Sequence, residues 1–188
     1  MADRKRRCWD SANPLMVAYH DREWGVPVRD DGALFERLML ECFQAGLSWE
    51  TILNKRENFR SAFEGFDPHR VASYGRDERE RLLADPGIVR HRGKIDAAIA
   101  NAQAFLRVQE EFGGFGRYAW SFVGGKPLRR KHEGGTLPSR PPESDAFSKD
   151  LKKRGFTFVG STTVYAFMQS VGMVDDHVPA CWKSRRAR

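Results

Sequence analysis

Apolar positions recur at helical spacing along most of this chain, and the alternation that a strand needs is scarce. The clearest stretch covers residues 32–45. Leu34, Phe35, Leu38, Met39, Cys42 and Phe43 fall there at the i, i+4, i+8 spacing of a buried face. Asp30 and Asp31 can cap its start and Gly46 ends it. Ser48 can cap a second helix over 49–63, with Trp49, Ile52, Leu53 and Phe63 turned inward. Asp67-Pro68 reads as a cap and first turn. Asp77 with Glu80 has the form of a capping box, and Asp85-Pro86-Gly87 stops that helix. A long helix over 94–112 carries the stripe Ile95, Ala98, Ile99, Ala102, Phe105, Leu106 and closes at Gly113-Gly114. Ser144 can cap a helix that Gly155 breaks, and Ser161 can cap the next. The best strand candidate, 156–159, is too short to found a sheet. The pattern predicts an all-α chain of roughly eight to ten short helices.

Residues 124–144 (GGKPLRRKHEGGTLPSRPPES) are rich in Gly, Pro and charge and predict a long, mobile surface loop. Elsewhere 13 Phe and 5 Trp supply enough apolar side chain to exclude disorder. The length of 188 residues fits one domain, or two lobes sharing a core. No apolar run reaches the roughly 18 residues of a membrane span. The opening MADRKRRCWD lacks the apolar stretch of a secretory signal. Together with three cysteines that form no even disulfide set, this predicts a cytoplasmic protein. The net charge of +7 favours a polyanionic partner without deciding which.

Cys8 and His20 near the start, with His177 and Cys181 near the end, make a Cys2His2 set suited to tetrahedral zinc. The spacing H-x3-C brings two ligands together on a turn, and Pro179 favours a tight turn over a helix. Such a metal would clip the two ends together. It would be structural, since four protein ligands leave no place for water. The alternative is two buried cysteines and two satisfied histidines that never meet.

Glu41 lies at the edge of the apolar face of the first long helix, about 20° beyond Leu34, with Glu36 and Arg37 on the solvent side. A carboxylate there needs a partner. It is either one half of a structural ion pair or the acid of a pocket. QAGLSW follows, with Leu47 and Trp49 after a glycine break. An acid that accepts from an exocyclic amine, an aromatic plate and an apolar tip together suit the reading of an extruded base.

AYHDREWG sets Tyr19 beside His20, and Trp9 follows Cys8. Tyr19 could bond to a base edge or be a core tyrosine; Trp9 and Trp24 could be simple packing, the better reading for Trp24. KKRGFTFVGSTT reads as a hairpin between helices, with Gly155 and Gly160 allowing close approach to a phosphate. Lys149, Lys152, Lys153 and Arg154 add charge before it. Arg90, His91, Arg92 and Lys94 form a second basic cluster, or simply a solvated helix end. The tails RKRR and KSRRAR add nonspecific attraction.

The blocks PLMVAYHDREWGVP, LECFQAGLSWETILNKRENFRSAF, GIVRHRGKIDAAIANA, LKKRGFTFVGSTTVYAFMQSVG and VDDHVPAC occur in this order. They closely resemble the bacterial 3-methyladenine DNA glycosylase I family, over about Cys8 to Cys181. The resemblance implies a helix-hairpin-helix DNA repair fold, with the hairpin motif at about 144–172. It also implies one structural zinc ion on Cys8, His20, His177 and Cys181 that joins segments 1–26 and 173–188. Glu41 becomes the acid that reads the flipped base, Tyr19, Trp49 and Trp9 line its pocket, and Leu47 plugs the vacated stack. Gly155, Phe156 and Gly160, with Lys153 and Arg92, face the DNA backbone. The activity implied is hydrolysis of the N-glycosidic bond of 3-methyladenine in alkylated duplex DNA. The protein is expected to be a monomer, with no organic cofactor and no lyase step. A DNA-binding protein without activity is the alternative, and a zinc-stabilised RNA-binding protein a more distant one. Three positions depart from the family pattern: Cys42 stands where Gly is usual, Met16 where Tyr is usual, and the usual Gly between Cys8 and Trp9 is absent. Cys42 and Met16 are expected to reshape the pocket wall.

Overall fold

Caps and apolar stripes explain where the helices of this chain begin and end. The structure, a computed structural model, describes residues 5–129 and 139–184. Asn13 caps α1 (Pro14–Arg22), accepting from the Leu15 amide. Asp30 caps α2 (Asp31–Gln44), whose face from Leu34 to Phe43 is buried as its spacing requires. Ser48 caps α3 (Trp49–Asn54). The single helix expected over 49–63 is broken, because Lys55 leaves helical geometry before α4 (Arg56–Ala62). Its ammonium reaches the carbonyls of Pro86 and Gly87 at 3.0 and 3.2 Å.

Asp67 caps α5 (Pro68–Ala72) as expected. The capping pair of α6 (Arg76–Ala84) lies two residues earlier than Asp77 and Glu80: Glu78 accepts from the Gly75 amide at 2.7 Å. His91 caps α7 (Arg92–Phe112), and Gly113 closes it at φ +68°. The next helix, α8 (Phe115–Ser121), is capped from a distance. Asp31 of α2 accepts from the amides of Phe115 and Gly116 at 2.8 and 2.7 Å, so two distant helix starts share one acidic residue. α9 (Pro142–Lys153) begins two residues before Ser144, whose hydroxyl instead meets that of Ser161 at 2.7 Å. α10 (Ser161–Ser170) is capped by Gly160 rather than by Ser161.

These ten α-helices pack around one contiguous apolar core that runs in sequence from Leu34 to Val174. The 156–159 segment is not a strand. The one strand pairing among the described residues lies partly in the segment expected to be loop: β1 (Leu128–Arg129) pairs in parallel with β2 (Val174–Asp175). The middle of that segment, 130–138, and most of the C-terminal basic tail lie outside the described residues, as does Arg4 of the N-terminal one, whose Arg7 pairs with Asp21 at 2.7 Å. No helix among the described residues is long and apolar enough to cross a membrane.

α7 is the strut of the molecule. Near its start, Lys94 is buried against the end of α2. Two turns on, the buried Asn101 amide brackets the hairpin after α9: it donates to the Thr157 carbonyl at 3.0 Å and accepts from the Thr157 amide at 2.8 Å.

Candidate active site and metal centre

α1, α2, α3 and α10 meet around a cavity of about 370 Å³, large enough for a purine. Glu41 reaches it from α2, Tyr19 from α1 and Trp49 from the first turn of α3. The sequence places Glu41 at the rim of the apolar stripe; in the fold it is 3% exposed. Its Oε2 is buried with no hydrogen-bond partner among the described residues. Burial pushes its carboxyl up to about 8, against the opposing pull of Arg37 and Ser170. The Tyr19 and Trp49 rings lie 5.0 Å apart at 41° and form one wall. Trp9 and Trp24, edge to face at 5.0 Å, form another. The indole nitrogens of Trp9 and Trp49 are buried and also lack partners among the described residues. The cavity is therefore apolar in its walls, with unused polar atoms set into them.

Arg37 is not on the solvent side as expected. It is half-buried, 5.5 Å from the Tyr19 ring, and paired to Glu23 at 2.6 Å. Arg56 holds the same carboxylate at 2.8 Å. Glu36 is likewise drawn in by Arg60 at 2.8 Å. Glu23, just after α1, thus ties α2 to α4, and Arg60 reaches Glu36 from α4, contacts that the helical wheel of α2 alone does not show.

Behind the tryptophans lies the Cys/His set. The ligand atoms of Cys8, His20, His177 and Cys181 are all within 4.8 Å of one another. Sulfur–nitrogen distances are 3.3 Å (Cys8–His177), 3.4 Å (Cys181–His20) and 3.7 Å (Cys181–His177). A tetrahedral zinc site with ordinary bond lengths has such edges of roughly 3.5 Å, so the four residues fit a metal ion. His20 Nδ1 lies 2.9 Å from Asp21 Oδ1, and its Nε2 accepts from the Cys8 amide at 3.2 Å, so the lone pair is on Nε2, the nitrogen that faces Cys181. Burial pushes His177 down to about 4, which keeps its imidazole neutral as a ligand must be. Without a cation, burial pushes the Cys8 thiol up to about 12; a divalent ion reverses that preference. His177 to Cys181 forms a turn, as Pro179 suggests, with the Cys181 amide bonded to the Val178 carbonyl at 2.8 Å. The His177 ring also needs Gly25. That residue has φ +74°, and a Cβ there would sit 2.8 Å from the imidazole Nε2. Trp9 packs on His20 at 4.8 Å and Trp24 on His177 at 4.7 Å, so the ligand cluster is the back wall of the cavity.

Residues 9–184 match the methyladenine glycosylase family. The chain belongs to that family. It is 51% identical over 177 residues to DNA-3-methyladenine glycosylase 1 of Escherichia coli K12, covering 93% of this chain and 95% of that one. It is 44% identical to DNA-3-methyladenine glycosylase of Haemophilus influenzae, over 93% and 96% of the two chains. The fold agrees with a crystal structure of 3-methyladenine DNA glycosylase I, with a TM-score of 0.90, 49% identity and coverage of 95% and 99%. It also agrees with the Staphylococcus aureus glycosylase studied for 3-methyladenine recognition, with a TM-score of 0.88, 39% identity and 92% of each chain.

The remaining expected residues of this methyladenine glycosylase lie away from the cavity. Leu47 projects from the turn after α2, 41% exposed, behind Gly46 at φ +80°. Arg92, Lys153 and Gly155 are exposed, and Gly155 has φ +93°. Phe156 is not at the surface. It is 2% exposed and packs towards Phe115 in the core, so only its backbone can face outward. The exposed hairpin aromatic is Phe158, at φ +54° and with its ring 6.3 Å from His91. Met16 lines the cavity as expected, whereas Cys42 does not. Its thiol turns the other way, 3.7 Å from Asn101, and burial pushes it up. Sequence reasoning set Trp24 aside as packing and overlooked Asp176, Gln44 and Gln169, which also line the cavity. VDDHVPAC carried the one usable signal, an acid directly before a ligand histidine.

Proposed function

We propose that this chain is a DNA-3-methyladenine glycosylase of base-excision repair, hydrolysing the N-glycosidic bond of 3-methyladenine in alkylated duplex DNA. The observation that carries the reading is the buried, unpartnered Glu41 oxygen in a purine-sized cavity walled by indoles. The target nucleotide leaves the duplex and Leu47 fills the gap. The base enters between Trp49, Tyr19 and the Trp9–Trp24 pair. Methylation at N3 makes the ring a cation, which favours both the π-faces and the carboxylate. In the empty cavity Glu41 holds its proton at neutral pH; the arriving cation drives it to ionise. A neutral adenine gives no such drive, so the difference in charge becomes a difference in binding.

Bond cleavage needs little acid catalysis. The cationic ring departs as neutral 3-methyladenine, the positive charge passes to the sugar, and water adds at C1′ while its proton goes to solvent. The product is an abasic site. On this reading there is no lyase step, and the strand stays intact at the abasic site.

Cys8, His20, His177 and Cys181 would hold one zinc ion, which supplies structural cross-linking and no step of the reaction. We further read α9, the 154–160 turn and α10 as a helix-hairpin-helix that grips the DNA backbone, aided by Lys153 and Arg92. On this reading the chain is one domain acting as a monomer in the cytoplasm. The test is incubation with methylated duplex DNA and identification of the free bases. Release of 3-methyladenine with intact abasic strands is expected. Good DNA binding without release at stoichiometric protein would make it a non-catalytic binder, and preference for structured RNA would remove the flipping mechanism.

A further inference from the structure

The cavity holds a second carboxylate. Asp176 follows β2, is 2% exposed and forms part of the cavity wall. Its Oδ2 accepts from the Tyr165 hydroxyl and from Gln169 Nε2 (2.8 Å), both on α10. Its Oδ1 is buried and has no partner among the described residues. Two donors on one oxygen fix the orientation of the group, and the other oxygen is left with unused lone pairs. Burying a carboxylate oxygen without a partner costs stability. The fold does not require that charge: an asparagine at 176 could accept the same two hydrogen bonds through its carbonyl oxygen. A group kept at a cost, in the wall of a cavity, is suited to a partner that arrives with the ligand.

We propose that Asp176 is a second substrate-contacting carboxylate, whose free oxygen pairs with the positive charge of the alkylated base. The inference rests on the reading of the cavity as a base pocket. Two acids then act on one ring from different elements, Glu41 from α2 and Asp176 from the segment after α10. Asp176 needs no rearrangement, because its hydrogen bonds to Tyr165 and Gln169 are already in place. Each acid discriminates against a neutral purine, which brings no charge to offset the loss of water from the site.

The test uses two ligands of one shape and different charge: 3,9-dimethyladeninium, a permanent cation, and 3,9-dimethyl-3-deazaadenine, its neutral isostere. Calorimetric titration of the full-length protein should show a preference for the cation of at least about tenfold. Asp176→Asn should cut that preference by about tenfold. Tyr165→Phe, which removes one of the two donors aiming Asp176, should cut it by a smaller factor. Metal content and thermal midpoint, measured on the same samples, should stay near the parent values for Asp176→Asn. An unchanged preference in folded Asp176→Asn protein overturns the proposal. Should that variant fail to fold, Tyr165→Phe decides: a reduced preference supports the proposal and an unchanged one overturns it. Failure of the underlying reading looks different: neither ligand binds the parent protein and Glu41→Gln excises at the parent rate, which overturns both.

Discussion

The ammonium of Lys94, in the first turn of α7, donates to the carbonyl of Ala45 at 2.6 Å. It also reaches the Phe43 carbonyl at 2.8 Å. A buried lysine thus caps the end of the helix that carries Glu41, directly before the turn that presents Leu47. Burial lowers its pKa, yet the two carbonyls and the dipole at the end of α2 favour its charged form. Lys94→Met leaves those carbonyls unpaired. It should lower stability by about 1–3 kcal/mol in urea denaturation. Excision from duplex DNA should fall as well, because the Leu47 turn loses its anchor.

Glu41 makes the opposite trade. Its folded pKa, raised from 4.5 to about 8, means that the folded chain keeps a proton that the unfolded chain has lost between those values. The stability contributed by this proton is fully present below about pH 4.5 and is lost as pH rises through about 8. Glu41→Gln should therefore flatten the fall in stability across this window. It should be the more stable protein near pH 8, by a few kcal/mol at most. Excision should drop by roughly a hundredfold. A variant that is less stable at pH 8 and fully active would show that another group performs the reading.

Binding of a cationic base at pH 7 should release a proton, since the ligand charge pulls Glu41 down from about 8. Calorimetry in two buffers of different ionisation enthalpy measures this number directly. It should approach one per site and vanish in Glu41→Gln.

The purified protein should contain one zinc ion per chain, measurable by elemental analysis. Cys181→Ala or a strong chelator should remove it and lower the thermal midpoint by several degrees, roughly 1–3 kcal/mol. Loss of excision should follow and not precede loss of metal, because Trp9 and Trp24 rest on His20 and His177.

Leu47→Ala should change stability by no more than about 0.5 kcal/mol, since the side chain is exposed. Excision from duplex DNA should fall, while single-stranded substrate, which leaves no gap to fill, should be processed at the parent rate. Equal losses on both substrates would remove Leu47 from the duplex-specific step.

Sequence alone determined the all-helical class, the buried face of α2, the caps Asp30, Ser48 and Asp67, and the place of the Glu41 carboxylate beside that face. Each follows from interactions spanning a few residues: a period of 3.6, a side-chain oxygen reaching an amide two or three positions on, and an acid beside an apolar stripe. Where one local pattern fitted two registers, as for Gly75–Glu78 against Asp77–Glu80, sequence had no means to choose between them. Tertiary structure decided what depends on residues far apart in the chain. It broke 49–63 at Lys55 for the carbonyls of the 86–87 turn, drew Arg37 inward to Glu23, and sent Phe156 to the core while leaving Phe158 outside. It also brought Trp9, Trp24 and the four Cys/His residues to one wall, and set Asp176 in the cavity of Glu41. Burial and unsatisfied polarity are properties of what surrounds a side chain, and the surroundings here come from helices more than a hundred residues apart in sequence.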